Sequence, residues 1–248
     1  EVVADRTLLN HLVMDVSLIA SMGMRVVLVH GSRPQIEELM GLRKLEGQFY
    51  KGVRITGPQE LECVKEACGE TRFDIEAAFS QGLPNTPMQH SRIKVVSGNF
   101  VTARPMGIID GVDYLHTGVV RKVDAESIQD LLSRGNIVLV SPTGFSPTGE
   151  AFNLTTEDVA TAIAVAIHAD KLILSVGVDG VRVRGEKQQD LTAQQAQALI
   201  QSKQVDDEDV YNLGYALRAI KGGVDRVHND FMGIQVCYKR EVAHNHLI

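Results

Sequence analysis

The sequence predicts an α/β protein, a three-layer αβα sandwich around a mainly parallel sheet. Short β-branched runs alternate with amphipathic helical segments, and several of these runs are apolar throughout, as in strands buried on both faces. Strands that alternate with helices pair in parallel, and the helices cover both faces of the sheet. The Gly-punctuated stretch 98–122 departs from this alternation and predicts a β-hairpin excursion.

Each expected element has its own signal in the sequence. Helices show apolar residues at spacings of three and four and begin at capping residues, and strands are short β-branched runs. In order, the expected elements are a helix over 8–20 stopped by Gly23, a strand over 25–30, helices capped at 32–35 and 56–59, a strand over 93–96, the hairpins of 98–122, a helix from Asp124 to Gly135, a strand over 137–140, a helix capped at 155–158, a strand over 172–176, a turn at 178–180 with a short hairpin arm, helices over 192–202 and 206–221, and a strand over 224–228.

Composition excludes several function classes. The 248 residues are 44% hydrophobic and 23% charged, which is typical of a globular chain. Lys and Arg number 25 against 31 Asp and Glu, and this net charge of −6 argues against a nucleic-acid partner. No apolar run approaches the roughly 18 residues that span a bilayer. Three cysteines without metal-ligand spacing predict no metal site and favour a cytoplasmic location.

Three strand-to-helix connections are candidates for ligand binding, because ligands of parallel sheets collect at the carboxyl ends of the strands. The first is the turn His30-Gly31-Ser32-Arg33-Pro34. Gly31 allows close approach of a ligand, and the following helix start offers N–H groups to an anion. The alternative is that Gly31 only makes the turn and Ser32 only caps the helix.

The other two candidates are an arginine and a long loop. Arg54 precedes a helix cap, and a guanidinium pairs well with a carboxylate, although a solvated surface arginine is the simpler interpretation. The loop over 141–158 is longer than a connection needs, which indicates function. Its polar contributors are Asn153, Thr155, Glu157 and Asp158, with the alternative that Thr155 and Asp158 only cap the following helix.

The segments RVVLVHGSRPQIEELM (25–40), GVRIT (52–56), VVSGNFVTARPMGIIDGVDYLHTG (95–118), SPTGFSPTGEAFNLTTEDVA (141–160) and YALRAIKGGVDRVH (215–228) resemble the amino-acid kinase superfamily. Within it the chain is most similar to the N-terminal kinase-like domain of the bacterial N-acetylglutamate synthase family. The resemblance implies a carbamate kinase-like fold over 1–228, with a divergent or truncated tail over 229–248. It also implies that the family's first strand is missing, because the sequence begins at Glu1-Val2-Val3 where relatives have that strand.

The resemblance implies a function in the first step of L-arginine biosynthesis. Family members transfer acetyl from acetyl-CoA to L-glutamate, and their kinase-like domain binds L-arginine as a feedback effector. No coenzyme A loop is recognisable in this sequence, so the chain is expected to be the regulatory domain, with no catalytic residue and no cofactor of its own. L-glutamate and acetyl-CoA are expected to act through a separate acetyltransferase domain, and a homo-oligomer is expected.

By resemblance, Gly31, Ser32, Arg54 and Asn153 match kinase positions that hold acetylglutamate. The alternative function is an acetylglutamate kinase. Kinases of the family use two lysines on the phosphoryl group, and Asn212 stands where the second would lie. A neutral amide cannot replace an ammonium there, which counts against phosphoryl transfer. A third alternative is a non-catalytic subunit that controls a partner through its helices.

Overall fold

A six-stranded sheet forms the centre of the molecule. The computed structural model describes residues 3, 5–81, 93–175, 182–183, 186–188, 191–202, 205, 207–230 and 234–240. The helices are α1 Arg6–Ser21, α2 Arg33–Leu42, α3 Pro58–Ser80, α4 Ala125–Ser133, α5 Thr156–Ala166, α6 Ala193–Ser202 and α7 Asp207–Lys221. The strands are β1 Met24–His30, β2 Gln48–Tyr50, β3 Val53–Ile55, β4 Val95–Ser97, β5 Val101–Pro105, β6 Ile108–Ile109, β7 Val112–Asp113, β8 Gly118–Val123, β9 Ile137–Val140, β10 Thr143–Phe145, β11 Ala151–Asn153, β12 Lys171–Ser175, β13 Arg182–Val183, β14 Glu186–Lys187, β15 Arg226–Asp230 and β16 Ile234–Arg240.

The central sheet has the strand order β15-β12-β16-β1-β9-β4. β1 is parallel to β9, β9 to β4, and β12 to β15. β16 is antiparallel to both of its neighbours, β1 and β12. The mainly parallel sheet predicted from the sequence is therefore confirmed, and its one reversed strand lies in the middle.

Helices cover both faces, which makes the predicted three layers. On one face Val26, Leu28, Ile137 and Leu139 pack with α1 and the end of α3. On the other face, strand residues such as Val27 and Val138 pack with α4, α5 and α7. This alternation follows from the strand pleat, which sends successive side chains to opposite faces. A smaller cluster joins α2 to α3.

The hairpin excursion forms a second sheet with the order β11-β10-β5-β8. β5 and β8 pair antiparallel, and β6 and β7 form a short hairpin between them. The stretch 141–158, expected to be a loop, instead contains the β10–β11 hairpin, which joins this sheet beside β5. Gly144 makes that contact possible, since a Cβ there would lie 2.8 Å from Ala103 Cβ and 2.9 Å from Leu154 Cδ1.

Two expectations concern the less regular parts of the chain. The turn expected at 178–180 and residues 241–248 of the expected tail lie outside the described residues. Within the stretch 229–248, Ile234–Arg240 forms a strand of the central sheet. The domain boundary at residue 228 remains a prediction.

Candidate functional site

The turn after β1 is held by a buried histidine. His30 is fully buried, and its Nε2 lies 2.8 Å from Ser141 Oγ at the end of β9. Its Nδ1 lies 3.3 Å from Ser32 Oγ. Burial lowers the pKa of His30 to about 4, so the ring is neutral at neutral pH. These contacts tie the carboxyl ends of two neighbouring strands together and fix the position of Gly31.

The β1–α2 turn lies against the start of α5. A Cβ at Gly31 would be 3.6 Å from Thr156 Oγ1, an ordinary van der Waals distance. Ser32 faces His30 rather than the helix, and it makes no capping hydrogen bond to α2. The expected capping box is therefore wrong, although α2 does begin at Arg33, directly after Ser32.

Three helices that follow the candidate segments begin without a side-chain cap: α2 at Ser32, α3 at Gly57 and α5 at Thr155. Elsewhere in the described chain, Asp5, Asp124 and Thr192 do cap α1, α4 and α6 through their side chains. Uncapped first turns present N–H groups, which attract anions together with the positive end of the helix dipole.

α2 differs from the other two uncapped helices in its charge. The first turn of α3 contains Glu60, and that of α5 contains Glu157 and Asp158, whereas the first turn of α2 has no acidic residue. Asp158 is also engaged, since it accepts from Val120 N and pairs with Arg218. Of these three helices, α2 therefore differs in that no carboxylate in its own first turn offsets the positive end of its dipole.

Two arginines lie beside one aromatic ring near α2. The guanidinium of Arg54 is stacked on Phe49 at 4.6 Å from the ring centroid, and that of Arg33 lies over the same ring at 5.3 Å. Arg54 is only 7% exposed and pairs with the carboxylate of Glu37. The expected carboxylate partner of Arg54 is therefore present within the chain, and it comes from α2.

A hydrogen-bonded network holds Asn153 in place. Its Nδ2 donates to Thr56 Oγ1 at 3.0 Å, and its backbone N donates to the carbonyl of His116. Thr117 Oγ1 lies 2.9 Å from Thr56 Oγ1 and 2.6 Å from the carbonyl of Arg54. Thr56 is thus part of the network. It does not cap α3, although the sequence predicted a capping residue at this position.

The structure brings the predicted residues into one region through two links. Gly31 adjoins the start of α5 at Thr156, and Asn153, two residues before the N-cap of the same helix, is hydrogen-bonded to Thr56 after β3. Sequence reasoning included His30 in the candidate turn without assigning it a role, and it missed Thr117 and Glu37. Glu37 had a usable signal in the sequence. It lies one helical turn after Arg33, on a helix whose first residues were already a candidate ligand site.

Asn212 lies on α7, three residues before Tyr215, whose hydroxyl is 3.1 Å from Thr155 Oγ1 at the start of α5. The Asn212 side chain is 5% exposed, and its Nδ2 has no hydrogen-bond partner. Within the described ranges, no group of three or more His, Cys, Asp and Glu side chains could hold a metal ion. In the same part of the chain, no helix has the length and apolar character needed to cross a bilayer.

Comparison with known proteins gives a family, close sequence relatives and similar structures. Residues 1–229 match the amino acid kinase family. An amino-acid acetyltransferase of Ralstonia nicotianae is 55% identical over 222 residues, which are 89% of this chain and 49% of that protein. One of Pseudomonas fluorescens is 47% identical over 88% of this chain and 51% of its own length. The chain thus spans about half the length of these relatives.

Similar solved structures include N-acetylglutamate synthase from Neisseria gonorrhoeae. Its complex with coenzyme A and L-arginine has a TM-score of 0.85 and 33% identity, covering 92% of this chain and 54% of that one. Its complex with coenzyme A and N-acetyl-glutamate has a TM-score of 0.82. Carbamate kinase from Giardia lamblia bound to AMP-PNP, with a TM-score of 0.65 and 12% identity over 90% of this chain and 83% of that one, has the same fold.

Proposed function

Because the chain belongs to the amino acid kinase family, we propose that it is the regulatory, kinase-like part of an N-acetylglutamate synthase. The whole protein would transfer acetyl from acetyl-CoA to L-glutamate in the first step of L-arginine biosynthesis. The similarity to amino-acid acetyltransferases about twice as long as this chain supports this proposal. In it, acetyl transfer belongs to a part of the protein outside these residues, and this part binds L-arginine as effector.

The region around the start of α2 at the carboxyl edge of the sheet, which we call the candidate site, is proposed to bind an amino-acid ligand through its carboxylate. The observation that carries this proposal is the start of α2, which has neither a side-chain cap nor an acidic residue in its first turn. Gly31 and Ser32 would place backbone N–H groups near the carboxylate. Arg33 and Arg54 would add positive charge, and Asn153 would supply an amide to the remainder of the ligand.

The kinase alternative is disfavoured by Asn212. A phosphoryl group in transfer carries spreading negative charge, which enzymes neutralise with lysine, arginine or metal ions. Asn212 is buried, neutral and has an unpartnered amide nitrogen, so it offers one weak dipole where a cation is required. In the third alternative, the chain is a non-catalytic subunit that controls a partner through its helices, and the candidate site would bind no small ligand.

Titration calorimetry with three ligands separates these functions. We expect L-arginine to bind to the chain and N-acetyl-L-glutamate to bind at the candidate site. Mg-ATP is expected to produce no turnover. Arg33→Gln should weaken N-acetyl-L-glutamate binding, while Arg134→Gln, an exposed arginine at the end of α4, should not. Turnover of ATP would establish the kinase, and no heat from any of the three ligands would favour the interaction subunit.

Three further features belong to the same proposal. The parent protein is expected to be a cytoplasmic homo-oligomer, and nucleic acid is not among its expected partners. Residues 1–228 are proposed as the kinase-like domain, and the stretch 229–248, expected as a divergent or truncated tail, contributes Ile234–Arg240 to the central sheet. L-glutamate and acetyl-CoA would reach the protein through its acetyltransferase part.

A further inference from the structure

Two buried threonines connect Asn153 to the interior of the molecule. Thr56, directly after β3, is fully buried, and Thr117, directly before β8, is 2% exposed. Asn153, the last residue of β11, is partly exposed. Backbone bonds hold the three segments side by side, since His116 N donates to the carbonyl of Thr56 and Asn153 N donates to that of His116, each at 2.9 Å. Thr56 and Thr117, which we call the hydroxyl pair, therefore keep fixed positions beside the Asn153 side chain.

One carbonyl fixes the direction of the hydrogen bonds in this pair. Thr117 Oγ1 lies 2.6 Å from the carbonyl oxygen of Arg54, which can only accept, so the single hydroxyl proton of Thr117 is used there. Thr117 Oγ1 also lies 2.9 Å from Thr56 Oγ1. Because Thr117 has no second proton, the Thr56 hydroxyl must donate across this contact. The opposite direction would set the lone pairs of Thr117 against those of the carbonyl.

The same accounting fixes the orientation of the Asn153 amide. Since Thr56 has donated its proton to Thr117, its Oγ1 can only accept from Asn153, and the amide atom at 3.0 Å is the donor Nδ2. Oδ1 and the second Nδ2 proton are left for a ligand, because no hydrogen bond within the described residues uses either of them. Rotating the amide by half a turn would place Oδ1 against Thr56 Oγ1 with no proton between them, which is unfavourable.

We propose that the hydroxyl pair makes Asn153 select ligands that carry an N–H group beside a carboxylate. This proposal rests on the proposed function, in which Asn153 contacts an amino-acid ligand. An α-acylamido acid such as N-acetyl-L-glutamate has its N–H and one carboxylate on the same carbon. The N–H can then donate to Oδ1 while a carboxylate oxygen accepts from Nδ2. Thr56 and Thr117 act on the ligand through Asn153 and are therefore positioning residues.

An ester analogue measures this selection. (S)-2-Acetoxyglutarate replaces the amide N–H of N-acetyl-L-glutamate with an ester oxygen, whose lone pairs would face Oδ1 of Asn153. We expect titration calorimetry to show that the chain binds the amide at least about tenfold more tightly than the ester. Equal affinity for the two ligands would overturn the proposal and leave the proposed function intact. No binding of either ligand would reject the proposed function, and with it the ligand class named here.

Thr117→Val tests the hydroxyl pair. Without the Thr117 hydroxyl, Thr56 is free to donate to Oδ1 of a rotated amide, so the preference for the amide over the ester should fall to about threefold or less. Thr117→Ser keeps a hydroxyl and should retain the preference. Thr71→Val is the matched control, because Thr71 is fully buried on α3 and its hydroxyl has no partner within the described residues. An unchanged preference in Thr117→Val, with an intact fold by circular dichroism, would overturn the role of the pair.

Neutron diffraction from crystals of the deuterated protein shows the direction of these bonds without any ligand. One deuterium is expected between Thr117 Oγ1 and the carbonyl oxygen of Arg54, and another between Thr56 Oγ1 and Thr117 Oγ1. This measurement also covers the case in which Thr117→Val does not fold. A Thr117 deuterium that points to Thr56 would reject the hydroxyl pair as the source of selection, even in a chain that binds N-acetyl-L-glutamate.

Discussion

Arg54 combines a buried position with a full set of partners. Its guanidinium contacts Glu37, stacks on Phe49 and lies 3.1 Å from Met40 Sδ. The sequence predicted that this arginine would hold a carboxylate, and a carboxylate is present, but it belongs to α2. A ligand carboxylate that used Arg54 would therefore have to compete with Glu37, whose side chain is 45% exposed and can move aside.

This competition can be measured with two neighbouring glutamates. Glu37→Gln removes the competing charge and should tighten binding of N-acetyl-L-glutamate by roughly three- to tenfold, about 1 kcal/mol. Glu38→Gln makes the same change in net charge one residue away on the exposed side of α2, and it should leave the affinity nearly unchanged. Calorimetry on both variants gives the comparison. Weaker binding of N-acetyl-L-glutamate to Glu37→Gln would show that Arg54 only stabilises the fold through Glu37 and does not bind the ligand carboxylate.

His30 makes the stability of the protein depend on pH. Its folded-state pKa of about 4 is below the unfolded value of 6.5, so the unfolded chain takes up a proton first as the pH falls. The stability that neutral His30 contributes is complete above pH 6.5 and is lost progressively toward pH 4.

The change that we use to test this is His30→Gln. The difference in unfolding free energy between wild type and variant should shrink by about 2 kcal/mol between pH 7 and pH 5. Urea denaturation at both values measures it. His168→Asn provides the reference, because His168 is exposed and has a positive φ that asparagine tolerates. If the difference in unfolding free energy between wild type and His30→Gln does not change with pH, the lowered pKa of His30 is contradicted.

At the level of elements, the helices and strands were more predictable than their ends. Hydrophobic spacing placed α1, β1, α4 and β9 because packing in the core decides these segments. Caps were less predictable. Thr192 and Gln195 form the predicted capping box. Ser32 instead contacts His30, two residues earlier, and Thr56 accepts a tertiary hydrogen bond from Asn153. A local motif cannot show that a distant residue such as Asn153 competes for the same hydroxyl.

The candidate site was also only partly predictable, because local sequence shows some of its residues but not their tertiary contacts. The strand-to-helix turn at Gly31 and the arginine at 54 were recognisable from local sequence. The β10–β11 hairpin was missed because its strands are only three residues each, Thr-Gly-Phe and Ala-Phe-Asn, which is too short to show a clear alternation. Its partner β5 lies some forty residues earlier, and only the folded chain shows that contact.

Two glycines, Gly214 in the middle of α7 and Gly222 directly after its last residue, should respond oppositely to alanine. A Cβ on Gly222 would overlap the side chain of Val165 on α5, so Gly222→Ala should destabilise the fold by about 1–3 kcal/mol. Gly214 has open space around it within the same helix, so Gly214→Ala should stabilise it by about 0.5–1 kcal/mol. Urea denaturation of both variants checks the prediction. A neutral Gly222→Ala would mean that α5 and α7 pack less closely than described.

At the level of the whole molecule, β16 joins two groups of parallel strands. β1, β9 and β4 lie on one side of it, and β12 and β15 lie on the other. Cys237, in the middle of β16, is fully buried, and its neighbours in register are Val27 and Leu172. Burial raises the pKa of this thiol to about 12, so it reacts only when the sheet opens.

Thiol labelling should therefore report on opening of the central sheet. In a Cys63→Ala/Cys68→Ala variant, Cys237 should react at pH 8 at least about a thousandfold more slowly than in the unfolded chain, with a rate that rises with urea along the global unfolding transition. The complementary Cys237→Ala variant retains the two thiols of the smaller α2–α3 cluster, which should react faster. Rapid, urea-independent labelling of Cys237 would place β16 outside the stable core.

The position of β16 also bears on how the protein is made. A ribosome completes residues 234–240 after all the other described strands, yet this segment fills the gap between β1 and β12. Until it emerges, two partial sheets each carry an apolar edge with unpaired backbone groups, the kind of edge that joins with other chains. The nascent polypeptide should therefore depend on chaperones until residues 234–240 emerge, and slowing elongation just before the codons for these residues should increase aggregation in the cell.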